Sequence, residues 1–417
     1  MNTVSYRLKE LRKEAGLTQS DLAEGIVNRS YISQIEKGKV QPSYKLLQAI
    51  CEKLNCTIND LIAESELEGI TNLEVDRELN SVEEYLEKNE YLLAEEKLKH
   101  INPESHELNN YQLGVFNFCY GEVVHQLYNI AEAENYLRKS IEHFSHKNYL
   151  KEKLKSQNHL AELLIKQNRI LESFDILDQS YDEVVFNKIT GIEKISLLIN
   201  LGIVHGRLGE YYSAIRFLKE ANDLNKSTGM FYKSGIIHMV LGLCNRRINK
   251  INDAKVTYEK AIGFLKSAED FINLAGTYIN LGILLRHTGN FNKSETYLFL
   301  AKEVYTDLND STGLDNAIYE ICTTKTSKGE YHEAEEMALN YLKQVPKNSP
   351  IISKLYLTLG LGKKKQKLYE DAITYFKLAL EKSDGVLSSK IMDYMAETYY
   401  TLKDYQNSSY YYFSTKQ

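Results

Sequence analysis

Two sets of polar side chains in this chain have the types and spacing for recognition chemistry. The first lies in the run RSYISQIE at residues 29–36. The guanidinium of Arg29 can fork onto the O6 and N7 of a guanine, and the carboxamide of Gln34 onto the N6 and N7 of an adenine. Ser30 and Ser33 can bond either kind of edge. The second set is spread further: Asn158, Asn200 and Asn280, with Arg207, Arg246, Arg247, Arg286, His287, Lys166, Asn316 and Lys354 around them. A carboxamide offers both a donor and an acceptor, so it can bond an extended peptide backbone. An arginine fork takes a carboxylate. Catalytic chemistry has no such support. Gly360-Leu361-Gly362-Lys363 looks like a phosphate loop but lacks the GxxxxGK[ST] spacing and a preceding strand. HExxH and GxSxG are missing, and the ten His are scattered. The chain therefore reads as a binding protein, with no enzyme activity, cofactor or metal expected.

The first set needs a helix that turns its apolar side inward. Leu8, Leu11 and Ala15 make an apolar stripe closed by Gly16, and Thr18 caps a second helix with Asp21 three residues on. That helix carries Leu22, Ala23 and Ile26. After a turn at Gly25–Asn28, a third helix sets Ile32 and Ile35 inward and ends at Gly38. Pro42-Ser43 opens a fourth helix with Leu46, Leu47, Ile50 and Leu54, and Thr57–Leu61 makes a brief fifth. With Ile32 and Ile35 inside, Asn28, Arg29, Ser30, Tyr31, Ser33, Gln34 and Lys37 point outward. Two helices joined by a tight turn let the second enter the major groove of DNA with its first residues at the base edges. Arg29, Ser30, Ser33 and Gln34 are the expected base readers, with Asn28 and Tyr31 at the edge of the footprint. Lys39 and Lys45 are expected on the phosphate backbone, where they position without specifying.

The segment GLTQSDLAEGIVNRSYISQIEKGKVQPSYKLLQAICEKLNCTINDLI, with its TQ-x-x-LA, S-x-IS-x-x-E-x-G and proline, resembles the Cro/repressor-type helix-turn-helix. The resemblance covers residues 1–62. It implies that Gln19 holds a phosphate, that Glu36 pairs inside the domain, for instance with Arg12, and that two heads read two half-sites as a dimer.

The second set needs a scaffold with a repeating face. An aromatic or Ile followed three residues later by Ala or Ser returns nine times, with the small residue at Ala94, Ala133, Ser173, Ala214, Ala254, Ser294, Ala334, Ala372 and Ser408. Successive spacings are 39, 40, 41, 40, 40, 40, 38 and 36 residues. Twelve positions earlier stand Gly121, Ala161, Gly202, Gly242, Gly282, Cys322, Gly360 and Ala396, with Val82 in the first unit. Paired small residues let two antiparallel helices approach closely, so about nine helical hairpins stack as a solenoid.

These units, with Gly209, Asn249, Gly289 and Gly329 in their turns, resemble tetratricopeptide repeats, with a period longer than the usual one. The resemblance implies a right-handed solenoid whose first helices line a concave groove. The Asn and Arg set then points into that groove as a clamp for a short extended peptide. The expected organisation is all-α: a five-helix head at 1–62, an acidic helical connector at 63–78 and a repeat domain at 79–417 that binds peptide and oligomerises. Ser409–Phe413 ends the array without a polar cap, so it either folds back or meets another subunit.

A Cro-type head on such an array resembles the RRNPP group of peptide-pheromone regulators, most closely its NprR branch. The resemblance implies a cytoplasmic, quorum-sensing transcription factor that binds a DNA operator and a signal oligopeptide as a homodimer or higher oligomer. Peptide binding would re-pose the heads on DNA. Two other readings stay open: an array that binds a phosphorelay response regulator, and a repressor whose array only oligomerises.

Composition fits a helical, intracellular protein. Pro (4) and Gly (22) are scarce, Trp is missing and 31 Tyr supply the large side chains. The net charge of −6 splits into +2 over residues 1–62 and −8 beyond, which sends a polyanion to the head. The five cysteines show no paired spacing, which predicts reduced thiols. No leader peptide or membrane span is expected.

Overall fold

Local capping and burial explain each helix of the head. In the computed structural model the described residues are 3–40, 42, 44–56, 61, 73–101, 108–128, 130–145 and 149–415. Helix α1 (Thr3–Glu14) precedes α2 (Gln19–Ala23), where the Asp21 N–H bonds Thr18 Oγ1 at 3.2 Å and the Thr18 N–H bonds Asp21 Oδ2 at 2.8 Å. Helices α3 (Arg29–Glu36) and α4 (Tyr44–Leu54) follow. Leu8, Leu22, Ile32, Ile35, Leu47, Ile50 and Leu61 form their shared core. Ala15 departs from the expected stripe and is exposed, because α1 stops at Glu14 and Gly16 turns the chain at a φ of +68°. Thr57–Asp60 of the expected fifth helix, residues 63–72 of the connector, Ser43 and the Lys45 side chain lie outside the described residues.

The chain divides into two compact units, Met1–Val204 and His205–Gln417. Besides the head, the first contains the hairpins α5 (Leu73–Glu87) with α6 (Tyr91–His100), α7 (Asn110–Leu127) with α8 (Ile130–His143), and α9 (Leu150–Lys166) with α10 (Ile170–Phe186). Helix α5 runs unbroken through residues 78 and 79, so the expected edge of the connector falls inside it. Helix α11 (Ile192–Arg207) crosses the division and α12 (Tyr211–Thr228) follows it. The second unit continues with α13 (Ser234–Arg247) and α14 (Ile251–Ser267), then α15 (Phe271–His287) and α16 (Phe291–Asp307). After these come α17 (Ser311–Lys328) and α18 (Tyr331–Leu342), α19 (Ile351–Lys365) and α20 (Tyr369–Glu381), and α21 (Gly385–Thr401) and α22 (Tyr405–Ser414). Within each unit the hairpins stack as a tetratricopeptide-like solenoid.

The small residues do what their spacing demands. A Cβ on Gly242 would stand 2.6 Å from the ring of Tyr258, which is fully buried against it. Where the second helix carries Ser, its hydroxyl donates to the carbonyl of the small residue twelve positions earlier. Ser173 Oγ reaches Ala161 O at 3.1 Å, Ser294 Oγ reaches Gly282 O at 2.8 Å, and Ser408 Oγ reaches Ala396 O at 2.9 Å. Ala and Ser interchange there because the buried hydroxyl is satisfied.

The C-terminal segment folds back as the second helix of the last hairpin. Tyr411 stacks on Tyr399 at 5.7 Å between ring centres, while Tyr405, Tyr410, Tyr412 and Phe413 stay exposed. Among the described residues no helix is long and apolar enough to cross a membrane.

Candidate DNA interface and ligand face

Helix α3 begins where Asn28 caps it, the Asn28 Oδ1 accepting from the Tyr31 N–H at 2.8 Å. Ile32 and Ile35 are fully buried, so the other side of the helix faces out. Arg29, Ser30, Gln34, Lys37 and Lys39 are exposed, and Ser33 and Tyr31 are half-buried. Asn28 is exposed as well, but its oxygen is already committed to the cap.

An internal ion pair braces this helix. Arg12 Nε meets Glu36 Oε1 at 2.6 Å, Arg12 Nη2 meets Oε2 at 3.1 Å, and Arg12 Nη1 donates to Leu17 O at 2.7 Å. Burial pushes the Glu36 carboxyl up, but hydrogen bonds from Arg12 and Gln19 and the Arg12 charge outweigh it and hold the carboxyl below its usual range. Gln19 is where the structure departs from the resemblance. Its Nε2 donates to Glu36 Oε2 at 2.7 Å, so its amide is turned toward the brace rather than held free for a phosphate.

In the first unit the two expected peptide-binding asparagines are buried, Asn158 at 2% and Asn200 at 1% exposure. Asn158 Nδ2 donates to Glu193 O at 3.0 Å, and Asn200 Nδ2 to Asn158 O at 3.3 Å. The two Nδ2 groups, expected to stand free in the groove, are thus engaged between α9 and α11, while Asn158 Oδ1 has no partner among the described residues. A different constellation stands on α7 and α9. His159 Nδ1 lies 2.7 Å from Glu122 Oε1, and Lys155 sits 4.4 Å from the centre of the Phe118 ring. The Lys166 ammonium lies 3.0 Å from His125 Nε2. Burial pushes Glu122 up, yet the charge and hydrogen bond of His159 bring it below its usual value. Cys119 beneath this group is buried, with its thiol pushed up by that burial.

In the second unit the first helices of successive hairpins pack side by side, α13 on α15, α15 on α17 and α17 on α19. Arg286 does not stand free as expected. Its Nη1 donates to Glu320 Oε2 at 2.6 Å and reaches Thr324 Oγ1 at 3.2 Å. Arg207, Arg247 and Asn316 are exposed, and Arg246 and Asn280 are half-buried. His287 is pushed below its ordinary value, first by burial and then by the charges of Arg286 and Arg246. Among the described residues no three His, Cys, Asp or Glu side chains converge as metal ligands would.

Comparison with known proteins bears on both parts. A helix-turn-helix family model matches residues 8–61, from α1 past α4. Over 63 residues the chain is 40% identical to an uncharacterized HTH-type transcriptional regulator of Archaeoglobus fulgidus, covering 15% of this chain and 89% of that protein. The chain belongs to the HTH-type transcriptional regulators. It is also 38% identical over 66 residues to the immunity repressor protein of Bacillus phage phi105. That match covers 16% of this chain and 46% of the repressor, so the chain spans less than half of that relative's length. The regulator shares its fold with the apo form of the quorum sensor NprR from B. thuringiensis. That likeness has 18% identity and a TM-score of 0.65, and covers 85% of this chain and 99% of the other.

Sequence reading of this regulator passed over Glu320, Thr324, Glu122 and His159. For Glu320 a signal existed: it stands forty positions after Asn280, at the same place in the next repeat. For Glu122 and His159 none did, because an acid and a histidine on separate helices carry no local pattern.

Proposed function

We propose that this regulator binds operator DNA through residues 1–62 and a short signalling oligopeptide through its repeat domain, which begins with α5 at Leu73 rather than at residue 79. Peptide occupancy changes its conformation or oligomeric state on DNA. The observation that carries the reading is the pair of unspent polar surfaces. Arg29, Ser30 and Gln34 stand exposed on α3, and Arg246, Arg247 and Asn280 stand on neighbouring first helices α13 and α15 outside the ion pair that occupies Arg286. The shared fold with a quorum sensor supports the second half. Tyr410, Tyr412 and Phe413 on α22 are exposed and fit self-association into a homodimer.

The test begins with an operator selected from fragments of the surrounding genome. Its affinity is followed by fluorescence anisotropy with and without synthetic peptides encoded by small open reading frames beside the gene, and sedimentation reports the oligomeric state. The reading predicts sequence-selective binding whose affinity or stoichiometry changes with one peptide. Binding without sequence preference would refute the DNA half. Binding that no peptide alters would refute the switch.

A further inference from the structure

Charge is unevenly spread along the repeat array. Residues beyond 62 carry a net charge of −8, yet residues 226–267, which end α12 and contain α13 and α14, hold eight Lys and Arg against Asp253 and Glu259, a net of +6. One hairpin of the second unit is therefore a basic island in an acidic array. Lys226, Lys255, Lys260 and Lys266 are exposed there. Lys226 meets Asp223 at 3.7 Å and Lys255 meets Glu259 at 4.0 Å, pairs too long and too wet to neutralise them. The field of the island reaches inward. After burial, the charges of Lys260 and Lys226 are what push His238 down to about 4.

One end of the same hairpin carries an apolar groove. Helix α12 leads into α13 through the five residues 229–233, with Gly229 at a φ of +68° and Lys233 at +47°. The buried Asn225 ties this turn down, its Nδ2 donating to Tyr232 O at 2.8 Å. The turn sets Phe231 beside Phe264 of α14, with ring centres 5.9 Å apart. Between the turn, the start of α13 and the end of α14 lies a groove of about 560 Å³, with Ile236, Leu265, Lys233 and Asp270 in its lining. Phe231 is still 69% exposed, and so are Met230 before it and Phe271 and Ile272 after Asp270, to a lesser degree. An apolar patch rimmed by charge marks a contact surface. A phosphate backbone would take the lysines but leave Phe231 and Met230 in water, so the lining favours a protein segment over nucleic acid.

We infer that this edge of the second unit docks an acidic amphipathic segment of another protein: an aromatic or aliphatic side chain enters the groove against Phe231 and Phe264, and flanking Asp or Glu side chains face Lys226, Lys233 and Lys260. Complementary charge steers such a segment to the island, and the buried anchor holds it. The groove stands at the start of α13, whereas Arg246 and Arg247 are at its end, so the inference is independent of the peptide-receptor reading above.

The test uses the full-length protein and three pools of amidated dodecapeptides: Asp and Glu mixed with Leu, Phe and Met; Asp and Glu mixed with Ser and Asn; and Lys mixed with Leu, Phe and Met. Retained peptides are identified by mass spectrometry, and the best is titrated by calorimetry into the wild type, Phe231→Ser, Lys260→Glu and Arg246→Gln, with thermal melts reporting the folding of each. The acidic apolar pool should be retained most. Its best member should bind Phe231→Ser and Lys260→Glu about tenfold or more weakly, and Arg246→Gln as it binds the wild type. Equal retention of the acidic polar pool, or displacement of the peptide by duplex DNA lacking the operator, would make the island a general polyanion site and overturn the inference. Affinity lost in Arg246→Gln and kept in both edge variants would move the peptide to the other end of α13, with the same result. A wild type that retains the acidic apolar pool no better than the basic one would also overturn it. So would a Phe231→Ser protein that loses its self-association in sedimentation, since a second copy would then be the occupant.

Discussion

Individual side chains in this regulator differ mainly in whether their hydrogen-bonding capacity is already used. Arg29 is exposed and has no partner among the described residues of the head, so Arg29→Ala should weaken binding to the selected operator by about 1–3 kcal/mol and relax preference at one base, as read by anisotropy on single-base variants. An unchanged base preference would remove Arg29 from the reading surface. Asn200 is the opposite case. Its amide is buried on Asn158 O at 3.3 Å, so Asn200→Ala should lower the melting temperature through a loss of about 1–3 kcal/mol and leave the affinity of any bound peptide alone. A peptide-specific loss without destabilisation would restore Asn200 to the ligand face. His238 gives a pH signature. It lies against Phe264 at 5.4 Å, and burial, followed by the charges of Lys260 and Lys226, pushes it down to about 4 from 6.5. Between those values the unfolded chain binds more protons than the folded one, so stability is complete above the unfolded value and is lost as the pH falls toward 4. Melts at pH 7 and pH 5 should diverge more for the wild type than for His238→Phe, and equal divergence would assign the acid sensitivity elsewhere.

The helical hairpin is the element on which the array depends, and its tolerance is set by contacts twelve positions apart. Gly242 allows α13 and α14 to meet with the Tyr258 ring between them, and an added methyl would stand 2.6 Å from ring carbons. The ring is fully buried and cannot swing away, so Gly242→Ala should cost about 1–3 kcal/mol by overpacking, despite the helix propensity of Ala. A variant as stable as the wild type in denaturant titration would mean that the hairpin can open without penalty. In the head, the corresponding constraint is polar. Arg12, Glu36 and Gln19 tie α1, α2 and α3 together through one carboxylate, which fixes the angle at which α3 is presented.

For the whole molecule, the proposed switch requires a ligand that binds one arrangement better than another, since equal affinity for both would shift nothing. A coupling of about 1–3 kcal/mol corresponds to a change in operator affinity of roughly 5- to 150-fold, and by linkage operator DNA must change peptide affinity by the same factor. Calorimetric titration of the peptide with and without saturating operator checks this, and unequal factors would show that a third equilibrium, such as subunit association, intervenes.

Much of this organisation was legible in the residues alone. The head could be read because its capping box, its Ile32 and Ile35 pair and its Gly38 stop act over a few positions. The hairpins could be read because close helix approach forces small residues into a period that repeats nine times. Which polar groups remain available could not be read. Asn200 and Asn280 share the same Asn-Leu-Gly setting, yet one is buried on a neighbouring carbonyl and the other is half-buried with no partner among the described residues. Arg246 and Arg286 share one register position, yet among the described residues Arg286 meets an acid and Arg246 does not. Those outcomes depend on groups 34 to 42 residues apart along the chain that meet across adjacent helices. Local periodicity places a side chain on a face, but whether that face is already satisfied depends on its neighbour in the stacked fold.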